Sequence, residues 1–341
     1  MSQKSLSESS TTHSVSQVCV LMEGSYHYGL GALLNSLIHW NFSGIVWVGY
    51  RGEIPAWVEE LHPCAGTTGS WRYSPKVEII FVPIAPGLPL VNLKPTFMLD
   101  LFERFGLSHL FFFDADIVLM RDWSFFPDWL SYGVALFEDM LSPRSPQHIK
   151  RVKWRELLEA SGLTEVREQG VYVNAGFMGL KVEHKAILEN WKLLQEIAAK
   201  EVGGLGRSIV MEKSRDDYRR ATPLHLTYFD QDCLNGALSL TDVPLTLLDR
   251  VAMGMFCTGE VLCHGIDIPK PWQYTRWDRL RGKKGWHPYY WLYWGHTSGP
   301  ITLYPGLRTK LKKFVKGLKF GNSLKTSISG PLESSFGASQ E

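Results

Sequence analysis

Two aspartates separated by one residue, Asp114 and Asp116, directly follow an uncharged apolar run at 110–113. Carboxylate oxygens are the hard ligands that Mg²⁺ and Mn²⁺ prefer, and two at this spacing can reach one ion where the backbone leaves a strand. An ion held there neutralises the charge that develops on a departing diphosphate. An ordinary strand-end turn is the alternative interpretation, and Asp230-Gln231-Asp232 repeats the same spacing.

Four further polar groups follow these aspartates along the chain: Asn174-Ala175, Asp230-Gln231, His264 and Lys270. An imidazole that completes a site of two carboxylates suits Mn²⁺ better than Mg²⁺. A lysine is a point charge that stabilises a departing phosphate group. A turn position for Asn174 and a core position for His264 are the alternatives. Cys257 and Cys263 precede the histidine, but without a fourth ligand they do not indicate a zinc site.

In this order the motifs resemble those of the family 8 retaining glycosyltransferases, which include glycogenin and the bacterial lipopolysaccharide sugar transferases. The resemblance covers 18–272 and implies a GT-A fold, in which a Rossmann-like nucleotide domain is merged with an acceptor-binding region. Position by position, it implies that Asp114, Asp116 and His264 bind Mn²⁺ or Mg²⁺. His264 lies six residues before Lys270 of a Lys-Pro-Trp element, as the family's metal histidine does, and Lys270 then contacts the donor diphosphate.

The same resemblance implies which residues surround the donor sugar. Asn174 and Ala175 belong to the element that touches the sugar in the family. Asp230 and Gln231 match the pair beside the anomeric carbon, where Asp binds sugar hydroxyls and Gln faces the reaction centre. The resemblance therefore implies Asp230, Gln231 and Lys270 as the catalytic residues.

Several expected donor contacts depart from the family pattern or rest on topology. The family's arginine on the helix before the aspartates is absent, so we expect Lys94 to reach that region. Asp139, in preference to Glu138, is the expected substitute for an aspartate that members carry after the fifth strand. Tyr26 and His27 follow the first predicted strand, where the nucleotide base is expected, and Glu23 is a further candidate for donor binding there.

The residues between these motifs alternate between strand and helix patterns. Apolar and β-branched runs predict strands at 18–22, 44–50, 76–83, 110–113, 133–137, 171–181, 245–248 and 260–263. Helical spacing predicts helices at 30–38, 55–61, 95–105, 151–161, 183–200 and from 230 onwards, and composition predicts loops at 66–74 and 203–220. The alternation predicts an α/β fold with a mixed, mainly parallel sheet flanked by helices, whose ligands bind at the carboxyl ends of the strands.

Composition favours a large globular domain. The chain has 341 residues, of which 45% are hydrophobic, and it contains no apolar run long enough to cross a bilayer. Because the Ser- and Thr-rich start lacks the apolar region of a secretion signal, we expect a cytoplasmic protein. Five cysteines at irregular spacing, with no CxxC pair, predict reduced thiols.

The carboxyl-terminal segment carries most of the positive charge. Residues 279–332 contain eleven Lys and Arg and no Asp or Glu, although the whole chain has a net charge of only +2. Residues 307–320 predict a cationic amphipathic helix suited to an anionic membrane surface, and packing on the acidic body is the alternative. We expect a disordered tail at 1–16, a GT-A domain at 17–300, this helix within 301–325 and a disordered tail at 326–341.

The function that these patterns predict is transfer of a hexose from a nucleotide-diphosphate sugar, UDP-sugars being favoured, to a glycan or lipid-linked acceptor. Retention of the anomeric configuration is implied by the resemblance alone. A sugar-phosphate nucleotidyltransferase is a rival, but it needs a basic Gly-rich loop after the first strand, and 24–29 has neither Lys nor Arg. A catalytically silent, membrane-associated glycan-binding scaffold is the second rival. The acidic body argues against a nucleic-acid partner.

Overall fold

A sheet of nine strands forms the centre of the computed structural model, which describes residues 15–64, 69–206, 222–255, 259–266, 269–273, 290–295, 297, 299 and 301. Its strands are β1 (Ser16–Glu23), β2 (Gly44–Arg51), β3 (His62–Pro63), β4 (Ser70–Ser74), β5 (Val77–Pro83), β6 (His109–Phe113), β8 (Val134–Phe137), β9 (Phe177–Lys181) and β10 (Leu245–Leu248). Two short strands, β7 (Ile117–Leu119) and β11 (Leu262–His264), pair with each other in a separate ribbon.

Helices connect the strands. The described α-helices are α1 (His27–His39), α2 (Lys94–Phe105), α3 (Phe125–Leu130), α4 (Ile149–Ala160), α5 (Ala186–Val202), α6 (Phe229–Ala237), α7 (Arg250–Met253) and α8 (Tyr290–Gly295). Short 3₁₀ helices occupy Gly24–Tyr26, Ala56–Glu60, Leu90–Leu93, Val182–His184, Leu224–Leu226, Leu238–Leu240 and Pro271–Gln273.

The boundaries of α2 follow from its sequence. Pro95 lies in the first turn, where its missing N–H would have no helical partner and its fixed φ suits the helix. The helix ends at Gly106, whose φ of 61° is left-handed and costs glycine little. Pro95 therefore marks the start of the helix at Lys94, and Gly106 marks its end.

The strand order in the main sheet is β10-β8-β9-β6-β1-β2-β5-β4-β3. The pairs β6–β1, β1–β2, β2–β5 and β8–β10 are parallel, while β9 runs antiparallel between β6 and β8, and β4 runs antiparallel to β5. The sheet is therefore mixed and mainly parallel through its centre, as the sequence predicts. Because β1 and β6 are parallel, Glu23 and Asp114 lie at the same edge.

Alternation along the central strands divides the core between two faces of the sheet. On β6, Phe111 and Phe113 pack with α1 and α3 on one face, while Leu110 and Phe112 pack with α2 and α5 on the other. The side chains of β6 from Leu110 to Phe113 are all buried. A strand covered on both faces needs apolar residues at every position, which explains the uncharged run before Asp114.

Several predicted elements differ from the structure. The predicted loop at 66–74 is wrong for Ser70–Ser74, which forms β4, because Ser70 and Tyr73 are buried against the sheet and the segment pairs with β5. The strand predicted at 171–181 is confined to Phe177–Lys181, and Val173 makes only an isolated bridge to Glu138. The helix predicted at 55–61 is a 3₁₀ helix at Ala56–Glu60.

Other sequence-based predictions concern the cysteines and segments that lie partly or wholly outside the described residues. Cys19, Cys64 and Cys233 carry free thiols, but Cys263 is disulfide-bonded, which contradicts the prediction of reduced thiols at that position. Of the predicted loop at 203–220, only 203–206 is described, and the basic helix at 307–320 and both terminal tails lie outside the described residues. Within the described chain, no helix has both the length and the apolar character needed to cross a membrane.

A buried ion pair joins α4 to α6 beneath the sheet edge. The Nζ atom of Lys150 lies 2.7 Å and 2.8 Å from the two carboxylate oxygens of Asp232, whose side chain is fully buried. Burial raises the pKa of Asp232, and the Lys150 ammonium opposes that shift. Removing one partner of such a pair leaves an uncompensated charge in the interior.

We therefore expect Lys150→Met to lower the free energy of unfolding by about 3–5 kcal/mol, because the Asp232 charge stays buried without its counter-ion. Urea denaturation followed by circular dichroism measures the change. Lys153→Met is the matched control, since Lys153 pairs with Glu156 at 2.7 Å on the surface of the same helix. The control should lower the free energy of unfolding by less than about 1 kcal/mol. Equal decreases in the two variants would contradict the expectation that the buried ion pair contributes more to stability than the exposed pair.

Candidate active site

One pocket of about 480 Å³ opens at the carboxyl ends of β1 and β6. Its volume is in the range of ligand-binding pockets. The site residues predicted from the sequence all line it: Glu23, Tyr26, Lys94, Asp114, Asp116, Asp139, Asn174, Ala175, Asp230, Gln231, His264 and Lys270. The structure thus brings these residues together, and their individual roles remain predictions.

Asp114, Asp116 and His264 form a candidate metal cluster. Each offers one ligand atom, and these atoms lie within 4.8 Å of one another. Strand pairing places His264 next to the aspartates, because β11 runs antiparallel to β7 with His264 opposite Ile117. The backbone N–H of Gly265 also donates to the Asp116 carbonyl at 2.8 Å. Two backbone contacts therefore hold the imidazole beside the aspartates.

The environment of His264 fits a metal ligand better than a satisfied core histidine. Its Nε2 lies 3.3 Å from Oδ1 of Asp116, and its Nδ1 is buried with no hydrogen-bond partner among the described residues. A Cβ atom at Gly176 would lie 2.8 Å from the imidazole Cε1 and 3.0 Å from Oδ2 of Asp114. The glycine therefore keeps space open between the ligands. Two carboxylates and one imidazole form a donor set that suits Mn²⁺.

Lys270 neutralises Asp116. Its Nζ lies 2.5 Å from Oδ2 of Asp116 and donates to the Gly265 carbonyl at 2.9 Å. Burial alone would raise the pKa of Asp116, but the Lys270 ammonium and the neighbouring His264 outweigh burial and hold the pKa well below its usual range. Asp116 therefore stays ionised, as a metal ligand must be.

Lys94 links the candidate metal cluster to the predicted sugar-binding residues. Its Nζ lies 2.9 Å from Oδ1 of Asp114 and 3.4 Å from Oδ2 of Asp230, and it donates to the Ala175 carbonyl at 3.0 Å. Burial lowers the pKa of Lys94, but the two carboxylates more than offset this and raise it above the usual value. Burial raises the pKa of Asp230, and Lys94 opposes that shift. One ammonium thus balances two acidic groups.

The turn at Asn174 forms another wall of the pocket. Oδ1 of Asn174 accepts from the backbone N–H of Gly176 at 2.8 Å, and its Nδ2 donates to Oδ2 of Asp139 at 2.8 Å. The alternative interpretation of Asn174 as a turn residue therefore describes its local geometry. The backbone N–H of Ala175 donates to Oε1 of Gln231 at 3.1 Å, which fixes the orientation of that amide.

Tyr26, in the region predicted for the base, lines the pocket beside Lys270 and packs against Trp272. Tyr26 meets Trp272 edge to face at 5.3 Å, and Nζ of Lys270 lies 6.0 Å from the Tyr26 ring. Helix α1 approaches this region closely, because a Cβ at Gly29 would lie 2.1 Å from the Ala115 carbonyl oxygen and 2.7 Å from Trp272. Gly29 is therefore required for the contact between α1 and the pocket floor.

Arg51 supports the pocket and was not predicted from the sequence. It pairs with Glu23 at 3.1 Å, and its other terminal nitrogen donates to the carbonyls of Ala85 and Leu88 at 3.0 Å and 2.7 Å. This guanidinium thereby ties the loop after β5 to the end of β1. A useful sequence signal is its position at the carboxyl end of a predicted strand, where ligands of such sheets bind.

Two apolar side chains on the pocket rim were also not predicted from the sequence. Met140 and Leu141 line the pocket and are 40% and 38% exposed. They follow β8, at the same edge as Asp139, so strand position is again the available signal. In α8, Tyr293 packs fully buried in the core.

No protein-family model matches the chain, and no curated protein matches it. Structural comparison finds glycosyltransferases among the similar solved structures. The WbbM bifunctional glycosyltransferase has a TM-score of 0.44 at 15% identity, with 85% of this chain and 53% of that chain covered. The galactosyltransferase LgtC, solved with donor and acceptor sugar analogues, has a TM-score of 0.41 at 15% identity, with 83% and 97% covered.

The third structure is the glycosyltransferase GlyE of Streptococcus pneumoniae TIGR4, with a TM-score of 0.42 at 11% identity and 94% of this chain and 66% of that chain covered. The chain thus spans 53% of the WbbM chain and 66% of the GlyE chain. All three proteins are glycosyltransferases, as are the members of the family that the motifs resemble. Likenesses with TM-scores of 0.41 to 0.44 do not assign a function to this chain.

Proposed function

We propose that the chain is a metal-dependent glycosyltransferase that moves a hexose from a nucleotide-diphosphate sugar to a glycan or lipid-linked acceptor. UDP-sugars are the expected donors. The observation that carries the proposal is the cluster of Asp114, Asp116 and His264, which lies in one pocket with Asp230 and Gln231. A cation cluster, two lysines and polar residues for a sugar are the parts that this chemistry needs.

The residues of the cluster have a direct role in departure of the leaving group. When bound, a divalent cation neutralises the charge that builds on the diphosphate as the glycosidic bond breaks. Asp114, Asp116 and His264 are the residues that would hold it. Lys270 contributes a second positive charge beside them, so that it donates to phosphate oxygens and stabilises the departing group.

Asp230 and Gln231 are proposed to orient the donor sugar. Asp230 offers carboxylate oxygens to sugar hydroxyls, while Lys94 pairs with that carboxylate at 3.4 Å and restrains its position. Gln231 faces the same pocket with its amide fixed by Ala175. Retention of configuration, which the family resemblance implies, then requires the acceptor to attack on the face from which the diphosphate leaves.

The two rival functions have less support. A nucleotidyltransferase needs basic residues after β1, yet 24–29 has neither Lys nor Arg, and Arg51 at the end of β2 is engaged by Glu23 and by two carbonyls. A silent scaffold has no need of two carboxylates and an imidazole gathered within 4.8 Å of one another in a pocket. Each rival predicts that no sugar is released from a nucleotide sugar.

The proposal is tested by incubating the purified chain with Mn²⁺ and a panel of UDP-glucose, UDP-galactose, UDP-N-acetylglucosamine and GDP-mannose. Slow hydrolysis releases the nucleotide diphosphate and identifies donor and metal together. Absence of release from a wider panel, together with no Mn²⁺-dependent thermal shift with UDP, would overturn the proposal.

We expect Asp116→Ala to lower nucleotide diphosphate release by at least about 100-fold, because the variant loses a metal ligand and the charge stabilisation that the metal supplies. The thermal shift produced by Mn²⁺ and UDP should disappear as well. Asp128→Ala is the control, since Asp128 is exposed on α3 and lies outside the pocket. Wild-type turnover in Asp116→Ala would mean that the metal is held elsewhere.

Lys270→Met should separate leaving-group stabilisation from metal binding. We expect kcat to fall by about 100-fold, as on removal of one charge-stabilising donor. The Mn²⁺ affinity should hold or increase, because the ammonium that competes for Asp116 is gone. Manganese titration by calorimetry and initial rates of diphosphate release measure the two quantities. A parallel loss of both would instead assign Lys270 to maintenance of the cluster.

We also propose that the basic segment at 307–320 binds anionic membrane surfaces and so brings the enzyme to a lipid-linked acceptor. Each lysine near such a surface contributes about 1 kcal/mol. The full chain should co-sediment with vesicles containing phosphatidylglycerol and not with pure phosphatidylcholine vesicles. A chain ending at Pro305 should lose this binding and keep its hydrolysis rate. Undiminished sedimentation of the shorter chain would refute the membrane role of the segment.

A further inference from the structure

One wall of the pocket comes from the segment 84–93, which connects β5 to α2 and contributes 89–92 to the pocket lining. Pro86 and Pro89 have no backbone N–H to donate. Gly87 between them has a φ of 129°, a backbone conformation that favours glycine. A segment of this composition forms few backbone hydrogen bonds of its own, so other parts of the protein must fix its shape.

Arg51, at the carboxyl end of β2, supplies hydrogen bonds that this segment needs. Its Nη2 donates to the carbonyls of Ala85 and Leu88 at 3.0 Å and 2.7 Å, and its Nη1 pairs with Oε2 of Glu23 at 3.1 Å. The planar guanidinium presents several N–H groups at fixed angles, whereas an ammonium is a single compact charge. One side chain thus fixes the segment and the end of β1 relative to each other.

Arg51 is not among the residues that line the pocket, so any effect on a ligand passes through its partners. Glu23 does line the pocket, and its side chain is 48% exposed, so a ligand can reach its carboxylate while Arg51 holds it. Leu88, whose carbonyl Arg51 also binds, directly precedes the pocket-lining residues 89–92. The guanidinium therefore sets the position of a carboxylate and of a wall in the same pocket.

The far end of this wall is held independently of Arg51. Nδ2 of Asn92 donates to the Leu205 carbonyl at 2.9 Å, and Lys94, two residues later, pairs with Asp114 at 2.9 Å. Loss of the Arg51 contacts therefore frees only the beginning of the wall. The candidate metal cluster keeps its own lysine contacts.

The chemistry of this part of the pocket fits a nucleoside. In the proposed function, the metal cluster and the lysines face the diphosphate, while Asp230 and Gln231 face the sugar. Tyr26, Glu23 and the largely apolar segment 89–92 also line the pocket. A nucleobase is flat and needs apolar contact area, whereas its N–H groups and the ribose hydroxyls need acceptors such as a carboxylate. The wall and Glu23 together supply both.

We infer that Arg51 is a positioning residue for the nucleoside of the donor, and that it acts by holding Glu23 and the wall at 89–92 in the conformation that the nucleoside contacts. The inference rests on the proposed function, which supplies the nucleoside diphosphate. Because Arg51 preorganises this end of the pocket, binding does not have to order the segment. The diphosphate, the metal and the transferred sugar contact other residues.

The test is Arg51→Met, which keeps most of the side-chain length and removes every hydrogen bond of the guanidinium. Calorimetry with Mn²⁺ compares UDP with inorganic pyrophosphate, which lacks the nucleoside; GDP, ADP or CDP replaces UDP if the wild-type chain binds it more tightly. We expect the Kd of UDP to rise about 10-fold, because the wall must then be ordered on binding. The Kd of pyrophosphate should stay within about twofold, since the metal cluster and the lysines are unchanged.

Arg155→Met is the matched control, because Arg155 pairs with Glu165 at 2.9 Å on α4 and is not part of the pocket lining. Both Kd values should stay at the wild-type level. An equal loss of affinity for UDP and pyrophosphate in Arg51→Met would overturn the inference, since it would show a general collapse of the pocket. An unchanged Kd for UDP, or a wild-type chain that binds none of the four nucleoside diphosphates, would overturn it as well.

Arg51→Lys tests the geometry of the guanidinium separately from its charge. The ammonium keeps a positive charge beside Glu23 but cannot reproduce the fork that reaches both carbonyls, so the Kd of UDP should stay raised by at least about threefold. Full recovery of UDP affinity in Arg51→Lys would mean that charge alone matters, which contradicts positioning of the wall by Arg51.

Kinetics give a second measurement. With the panel donor that the wild-type chain hydrolyses fastest, Arg51→Met should raise KM about 10-fold and leave kcat within about twofold, as expected for lost ground-state binding. A fall in kcat at unchanged KM would contradict the inference. If the wild-type chain binds UDP but hydrolyses no donor, the proposed function fails while calorimetry still decides the role of Arg51, so the two failures are distinguishable.

Discussion

Balance of charge at the carboxyl edge of the sheet is the constraint on which the pocket depends. Asp114, Asp116 and Asp230 converge there, and buried carboxylates are stable only when they are paired. Lys94 and Lys270, which are 3% and 8% exposed, supply the opposite charges. The ammonium of Lys94 also lies 5.4 Å from the ring of Phe112 on the buried strand β6. Lys94 at the start of α2 and Lys270 in the segment at 269–273 must therefore lie at this edge, where they pair with the carboxylates.

The antiparallel strand β9 explains how a mixed sheet builds this pocket. Because β9 runs against β6, with Phe177 opposite Phe113, the residues that precede β9 meet the residues that follow β6. The backbone N–H of Asp114 donates to the Gly176 carbonyl at 2.7 Å as a result. A parallel strand in this position would present its other end, and the turn at Asn174 would lie at the opposite edge of the sheet.

The sequence predicted those parts of the fold that depend on local patterns. The uncharged run at 110–113, the proline that starts α2 and the spacing of His264 and Lys270 are all visible in the chain. The direction of β9 is not, since one strand's residue pattern is the same in either direction. The role of Arg51 was also hidden, because it depends on partners brought near by folding. The strand β4 was missed because the small residues at 66–70 resemble a loop until the pairing of β4 with β5 is known.

The pairing of β11 with β7 has a consequence for how the protein is made. Asp116 and Lys270, which contact each other, are 154 residues apart in the chain, and His264 joins the aspartates from the same late region. Long-range contacts of this kind form slowly, and during synthesis they must wait for the second partner to emerge from the ribosome. The strands up to β6 can assemble earlier. A growing chain that has folded these strands still lacks His264 and Lys270, so the candidate metal cluster is complete only after these late segments are translated.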